Sequence, residues 1–144
     1  MVGIVVVSHS ERAAEGIAEV AAEMAGDTRI EPVGGDGKGG IGTVPDAIED
    51  AIDAAAGGTD EGDATDAEDG GDVTESDGVV ILVDLGSAVM NADVAVELSD
   101  AEAVIADAPV LEGAVNAAVA ATDPSATVES VREQAEAARD IEKL

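Results

Sequence analysis

The only histidine of the chain, His9, follows directly after a short apolar run. Residues 2–7 are β-branched and almost continuously apolar, which is typical of a strand buried on both faces of a parallel sheet. Ligands of such sheets collect beyond the carboxyl ends of the strands, so we expect His9 at a functional edge. An imidazole there could be a nucleophile, although a lone histidine is more often a surface or structural residue. Its position alone therefore leaves both interpretations open.

A second apolar run, residues 78–85, brings a carboxylate and a hydroxyl to the same edge. Asp84 ends this strand, and Gly86 and Ser87 stand where the next helix should begin. A carboxylate that accepts the proton of one imidazole nitrogen fixes the tautomer and leaves the other nitrogen free to attack. The pattern therefore predicts that Asp84 orients His9 as a nucleophile. The alternative is that these residues only end a strand and cap a helix.

A glycine cluster between the predicted second strand and second helix could bind an anion, because glycine lets backbone N–H groups turn toward a phosphate. Its members are Gly34, Gly35, Gly37, Gly39, Gly40 and Gly42. It is not a P-loop, since Lys38 lacks the following Ser or Thr. A flexible connection explains the cluster equally well. Thr43 and Ser10 could each contact a phosphate or simply cap a helix.

The elements that must position these residues alternate between strands and helices. Further strands are expected near residues 29–33 and 103–106, and helical periodicity follows each strand, with a last helix after Pro124. This order predicts an α/β fold: a doubly wound, mostly parallel sheet with helices on both faces. We expect one domain, residues 1–144, with an acidic, solvated insertion at about 57–77. Its Asp residues repeat every third position, unlike an EF-hand, and we predict no metal site.

The composition excludes several functions and partners. Thirty-three acidic residues against six basic ones give a formal charge of −27, which disfavours binding to nucleic acid or to anionic membranes. Such self-repulsion is tolerable where molar salt screens charges over about 3 Å, so the chain is predicted to be halophilic. With neither aromatic residues nor cysteine, the core must consist of aliphatic side chains and alanine. No basic segment precedes the first apolar run, and we expect a cytoplasmic protein.

Four segments together carry a resemblance to a known family: VSHSERAAEG, IGT, VDLGSA with a helix ending AVEL, and APVLEGAV. In this order they resemble the phosphotransfer subunit of phosphotransferase-system-dependent dihydroxyacetone kinases, here of haloarchaeal type, whose domain is similar to mannose-class IIA domains. The resemblance implies that His9 is phosphorylated and that Asp84 orients it. It also implies a phosphoryl-binding set and no cofactor beyond the transient phosphohistidine. That set is Ser10, Gly42, Thr43, Gly86 and Ser87.

The resemblance also implies partners. The phosphoryl group would arrive from the phosphocarrier protein HPr and leave toward ADP on a nucleotide-binding kinase subunit, while another subunit binds dihydroxyacetone. A homodimer is expected. One alternative is the IIA subunit of a mannose-class sugar transporter, but those domains more often have a GGSP-like turn where this chain reads GSAVMN. The other alternative is a regulatory module that switches with the phosphorylation of His9.

Overall fold

A four-stranded parallel sheet forms the centre of the computed structural model, which describes residues 1–57 and 77–144. The strands are β1 (Gly3–Ser8), β2 (Ile30–Gly34), β3 (Val79–Val83) and β4 (Ala103–Ile105). The helices are α1 (Glu11–Ala22), α2 (Pro45–Ala55), α3 (Ser87–Leu98), α4 (Val110–Ala121) and α5 (Val128–Glu136), followed by a 3₁₀ turn (Ala137–Asp140). The predicted acidic insertion lies almost entirely outside the described residues.

The strand order β2-β1-β3-β4 confirms the doubly wound α/β prediction. From β1 the chain first adds β2 on one side and then crosses to add β3 on the other. Loops that leave β1 and β3 therefore diverge at the carboxyl edge of the sheet, and this divergence opens a crevice where ligands usually bind in such folds. His9 follows β1 and Asp84 follows β3 at this point.

Alternating side chains of the central strands form two cores. Ile4, Val6 and Leu82 face α1, α4 and α5, whereas Val5 and Ile81 face α2 and α3. Every residue of β1 is buried, because it has a strand on each side and helices on both faces.

The helices pack against the sheet largely through alanine. In α3 the buried residues are Ala88, Ala92 and Ala95, while the periodic large residues Met90, Val94 and Leu98 are 74%, 43% and 52% exposed. Small side chains let the helix approach the sheet closely, and a core without aromatic residues can be filled in this way. The large apolar residues of α3 consequently form an exposed stripe.

No helix in the described parts of the chain is long and apolar enough to cross a membrane.

Candidate functional site

The His9 side chain lies between a carboxylate and a hydroxyl at the carboxyl edge of the sheet. Its Nδ1 is 3.0 Å from Asp84 Oδ1, and its Nε2 is 3.0 Å from Ser87 Oγ. The imidazole is half-buried, with 21% of its side-chain surface exposed. Adjacent parallel strands bring these groups together, since β1 precedes His9 and β3 precedes Asp84 and Ser87.

Asp84 is held by three donors from the β1 end. Its Oδ2 accepts the Ser8 hydroxyl at 2.9 Å and the His9 backbone N–H at 3.0 Å, while its Oδ1 faces the His9 ring. Burial alone would raise the pKa of Asp84, but the hydrogen bonds from the His9 amide, the His9 ring and the Ser8 hydroxyl outweigh it and lower that pKa below its ordinary value. Asp84 is therefore ionised at neutral pH.

An ionised carboxylate is an acceptor only, and this assigns the histidine tautomer. Nδ1 must carry the proton that faces Asp84, so the lone pair of the neutral ring lies on Nε2. The Ser87 hydroxyl then donates to Nε2. The arrangement presents Nε2 as the nucleophilic nitrogen, on the side of the ring where Ser87 is exposed to solvent.

Backbone N–H groups at the start of α3 add an anion-binding element. Gly86 precedes the helix with ordinary helical φ and ψ and provides no side-chain cap. The amides of Leu85, Gly86 and Ser87 make no hydrogen bond to any described residue. A helix N-terminus with free amides favours a negative charge, so the Ser87 side of the imidazole suits a phosphoryl group.

The glycine loop contacts the backbone of His9. The Gly42 N–H donates to the His9 carbonyl oxygen at 2.8 Å, and Gly42 has φ +152°, which favours glycine. Gly34, at the end of β2, has no room for a side chain, because a Cβ would stand 2.5 Å from the Ser8 carbonyl oxygen. These two glycines hold the loop against the segment that carries His9.

Two predicted phosphoryl-binding residues have structural contacts of their own. The Ser10 hydroxyl accepts the Ala13 N–H and caps α1. Thr43 does not cap α2, whose N-cap is Val44, with no side-chain cap bond. Thr43 is instead hydrogen-bonded by Asn91 of α3.

Comparisons with known proteins show the family. The family described as "PTS system fructose IIA component" matches residues 3–63 and 66–132. The phosphoryl donor subunit DhaM of PEP-dependent dihydroxyacetone kinase 2 from Listeria innocua is 39% identical over 124 residues, 83% of this chain and 85% of the relative. The chain belongs to this DhaM group of IIA components. The DhaM phosphotransferase subunit from Lactococcus lactis is 34% identical, covering 93% of both chains.

Longer DhaM proteins and a solved structure extend the comparison. DhaM from Escherichia coli is 31% identical over 129 residues, which make up 84% of this chain but only 24% of that protein. The crystal structure of the unknown-function protein EF1359 superposes with a TM-score of 0.71 at 25% identity, covering 94% of this chain and 93% of the other. EF1359 thus shares the fold of this DhaM-family member over nearly the whole of both chains.

Sequence reasoning missed two residues of the site, Ser8 and Asn91. Ser8 is 2% exposed, and its hydroxyl links Asp84 to the Ser10 N–H. The sequence did contain a signal for Ser8, because a polar residue at the end of a buried apolar strand indicates a position at the functional edge of the sheet. The sequence contains no such signal for Asn91, because its partner Thr43 is 48 residues away in the chain.

Proposed function

We propose that this chain is a phosphohistidine carrier that accepts a phosphoryl group on Nε2 of His9 and passes it to ADP on the nucleotide-binding subunit of dihydroxyacetone kinase. One observation carries the proposal: Asp84 engages Nδ1, and Nε2 faces the exposed Ser87 hydroxyl. The names of the DhaM relatives, which describe phosphoryl donor subunits, support the kinase as the destination.

In the accepting step, the Nε2 lone pair attacks phosphorus while the bond from phosphorus to the donor nitrogen breaks, and that electron pair stays on the donor. The Nδ1 proton remains on the ring, where the ionised Asp84 stabilises the positive charge that develops. In the delivering step, a β-phosphate oxygen of ADP attacks phosphorus and the electron pair of the breaking N–P bond returns to Nε2. The protein thereby contributes positioning and charge stabilisation.

The groups around Nε2 suit the transferred phosphoryl oxygens. Ser87 would turn its hydroxyl from Nε2 to a phosphoryl oxygen, and the amides of Gly86 and Ser87 provide further donors. Thr43 follows Gly42, which is bonded to the His9 backbone, and its hydroxyl would provide a further donor. Ser10 borders the same edge, with its hydroxyl oxygen already accepting the Ala13 amide.

The partners in this proposal are HPr as donor and the nucleotide-binding and dihydroxyacetone-binding subunits downstream. We further infer a homodimer, which the exposed stripe of Met90, Val94 and Leu98 supports, because contiguous apolar surface usually marks an interface. The charge of −27 supports a halophilic protein working in a salt-rich cytoplasm.

The test is stepwise phosphoryl transfer in high salt. Wild type and His9→Ala are incubated with enzyme I, HPr and phosphoenolpyruvate, and the two kinase subunits, ADP and dihydroxyacetone are then added. We expect an acid-labile phosphoprotein and dihydroxyacetone phosphate with wild type only. The proposal fails if a competent phosphorylated carrier never labels wild type at His9.

The second candidate is a IIA subunit of a sugar transporter, which the description of the matching family favours. It uses the same His9 chemistry but another acceptor. Phosphorylated wild type that yields no product with active kinase subunits would point to this candidate, or to a regulatory module. Copurification with membrane transporter subunits or with a regulated protein then separates those two.

A further inference from the structure

Asn91 connects the two sides of the candidate site. It lies one helical turn beyond Ser87 on α3 and is half-buried. Its Nδ2 is 2.7 Å from Thr43 Oγ1 and 3.2 Å from the Thr43 carbonyl oxygen. One amide group thus fixes both the backbone and the side chain of Thr43.

The Thr43 carbonyl decides which way these hydrogen bonds run. A carbonyl oxygen only accepts, so the NH₂ group of Asn91, rather than its oxygen, must face Thr43. The same NH₂ group donates to the Thr43 hydroxyl, which therefore uses a lone pair in this contact. The hydrogen of that hydroxyl points away from Asn91, and no described residue accepts it.

Thr43 is held close to His9 by its neighbour. The Gly42 N–H donates to the His9 carbonyl oxygen at 2.8 Å. The helix that carries Asn91 begins with Ser87, whose hydroxyl is 3.0 Å from His9 Nε2. Asn91 therefore ties the glycine loop to the helix that provides the other hydroxyl of the site.

We propose that Asn91 is a positioning residue that holds Thr43 with its hydroxyl hydrogen directed at the phosphoryl group on His9. The proposal rests on the proposed phosphohistidine function and adds the residue that keeps the Thr43 donor available. Without Asn91, the Thr43 hydroxyl could rotate and the glycine loop would lose its link to α3. The phosphohistidine would then form more slowly and with one hydrogen bond fewer.

Asn91→Asp gives a sharp test, because a carboxylate of nearly the same shape cannot donate to the Thr43 carbonyl and would draw the hydroxyl hydrogen toward itself. The matched control is Asn116→Asp on α4, where Nδ2 donates to the Gln134 carbonyl oxygen at 3.0 Å on an exposed surface. Both variants make the same charge change and remove a donor to a backbone carbonyl. Circular dichroism checks folding, and Asn91→Ala provides the same comparison without a new charge if N91D is unfolded.

Phosphoramidate, which phosphorylates accessible histidine directly, removes the dependence on a protein donor. Because His9 is the only histidine, intact mass reports its labelling and its subsequent hydrolysis. We expect N91D to slow labelling roughly tenfold, the effect of one hydrogen bond to a charged group, while N116D matches wild type. Thr43→Val should slow labelling similarly, and the N91D/T43V double variant should be little slower than either single variant.

The outcomes separate this inference from the proposed function. Equal labelling rates for N91D and N116D, with wild type labelled normally, overturn the role of Asn91 and leave the phosphohistidine carrier standing. Fully additive effects in the double variant overturn action through Thr43. If phosphorylated HPr never labels His9 of wild type, the proposed function fails, and the role of Asn91 fails with it.

Discussion

Asp84→Asn tests the orientation of His9 while nearly preserving the shape of the side chain. The carboxylate accepts two donors at Oδ2, from Ser8 and the His9 amide, and one at Oδ1, from His9 Nδ1. An amide has a single acceptor oxygen. When that oxygen takes the two donors at the Oδ2 position, the NH₂ group faces Nδ1 and every group is satisfied, whereas the reverse orientation sets the NH₂ group against the His9 amide.

In the favoured orientation, Nδ1 must accept, so the proton moves to Nε2 and the nucleophilic lone pair is lost. The reactive tautomer then requires two N–H groups to face each other, which breaks their hydrogen bond and leaves both donors unsatisfied, at a cost of about 2–5 kcal/mol in total. At 1.36 kcal/mol per tenfold, this corresponds to a fall in the phosphorylation rate of roughly 30-fold to several thousandfold.

The rate is measured with radiolabelled phosphorylated HPr in high salt, and nitrogen NMR of the single histidine reports the tautomer directly. Asp107→Asn is the control, since Asp107 also follows a strand of the sheet but is 86% exposed and pairs with Arg139 rather than with His9. Phosphorylation of D84N at the rate of D107N would falsify the orienting role of Asp84. A proton that remains on Nδ1 in D84N would refute the tautomer argument even if the rate fell.

Further predictions follow from other contacts. Ser87→Ala removes the hydroxyl at Nε2, and phosphorylation by HPr is expected to slow roughly tenfold; an unchanged rate and phosphohistidine lifetime would exclude a contact with the phosphoryl group. Gly34→Ala would press a Cβ against the Ser8 carbonyl, lowering the free energy of unfolding by about 1–3 kcal/mol in denaturant titrations; unchanged stability would contradict this. The pKa of Glu49 is raised, first by burial and then by the negative charges of Asp53 and Asp46. Above its ordinary pKa, the ionised Glu49 side chain therefore lowers the stability of the folded state. At neutral pH, Glu49→Gln should therefore raise the free energy of unfolding in low salt, and by a smaller amount in molar KCl. Glu129→Gln, which removes an ion pair with Arg132, should not raise it.

The fold and the centre of the site could be predicted from the sequence because both follow from local patterns. Buried apolar runs marked β1 and β3, and parallel strands that end at one edge bring their next residues together. This is why His9, Asp84 and Ser87 were expected to meet, as they do. Their chemical roles stay predictions until transfer is measured.

The buried face of α3 could not be predicted from hydrophobic size. Met90, Val94 and Leu98 recur at helical spacing, which usually indicates the buried face, yet the alanines of α3 pack against the sheet. Because the core has no aromatic residues, it is filled by packing the helices close to the sheet, and small side chains permit this. Asn91 was missed for a related reason, since its contact with Thr43 depends on how α3 packs beside the glycine loop.

The few basic residues show how so acidic a chain could receive a phosphoryl group. Among the described residues, Arg132, Arg139 and Lys143 pair with acidic side chains, and Arg29 donates to the Ala54 carbonyl. Arg12 and Lys38 form no ion pair with any described residue, and both are exposed.

Both of these cations belong to the segments around the site. Arg12 lies in the first turn of α1, just after His9, beside an open groove of about 830 Å³, and Lys38 lies in the glycine loop. In molar salt the distant acidic residues are screened within about 3 Å, whereas a phosphorylated partner in contact would meet these cations directly. High salt would thus suppress the repulsion of the whole surface while leaving short-range attraction at the edge that carries His9.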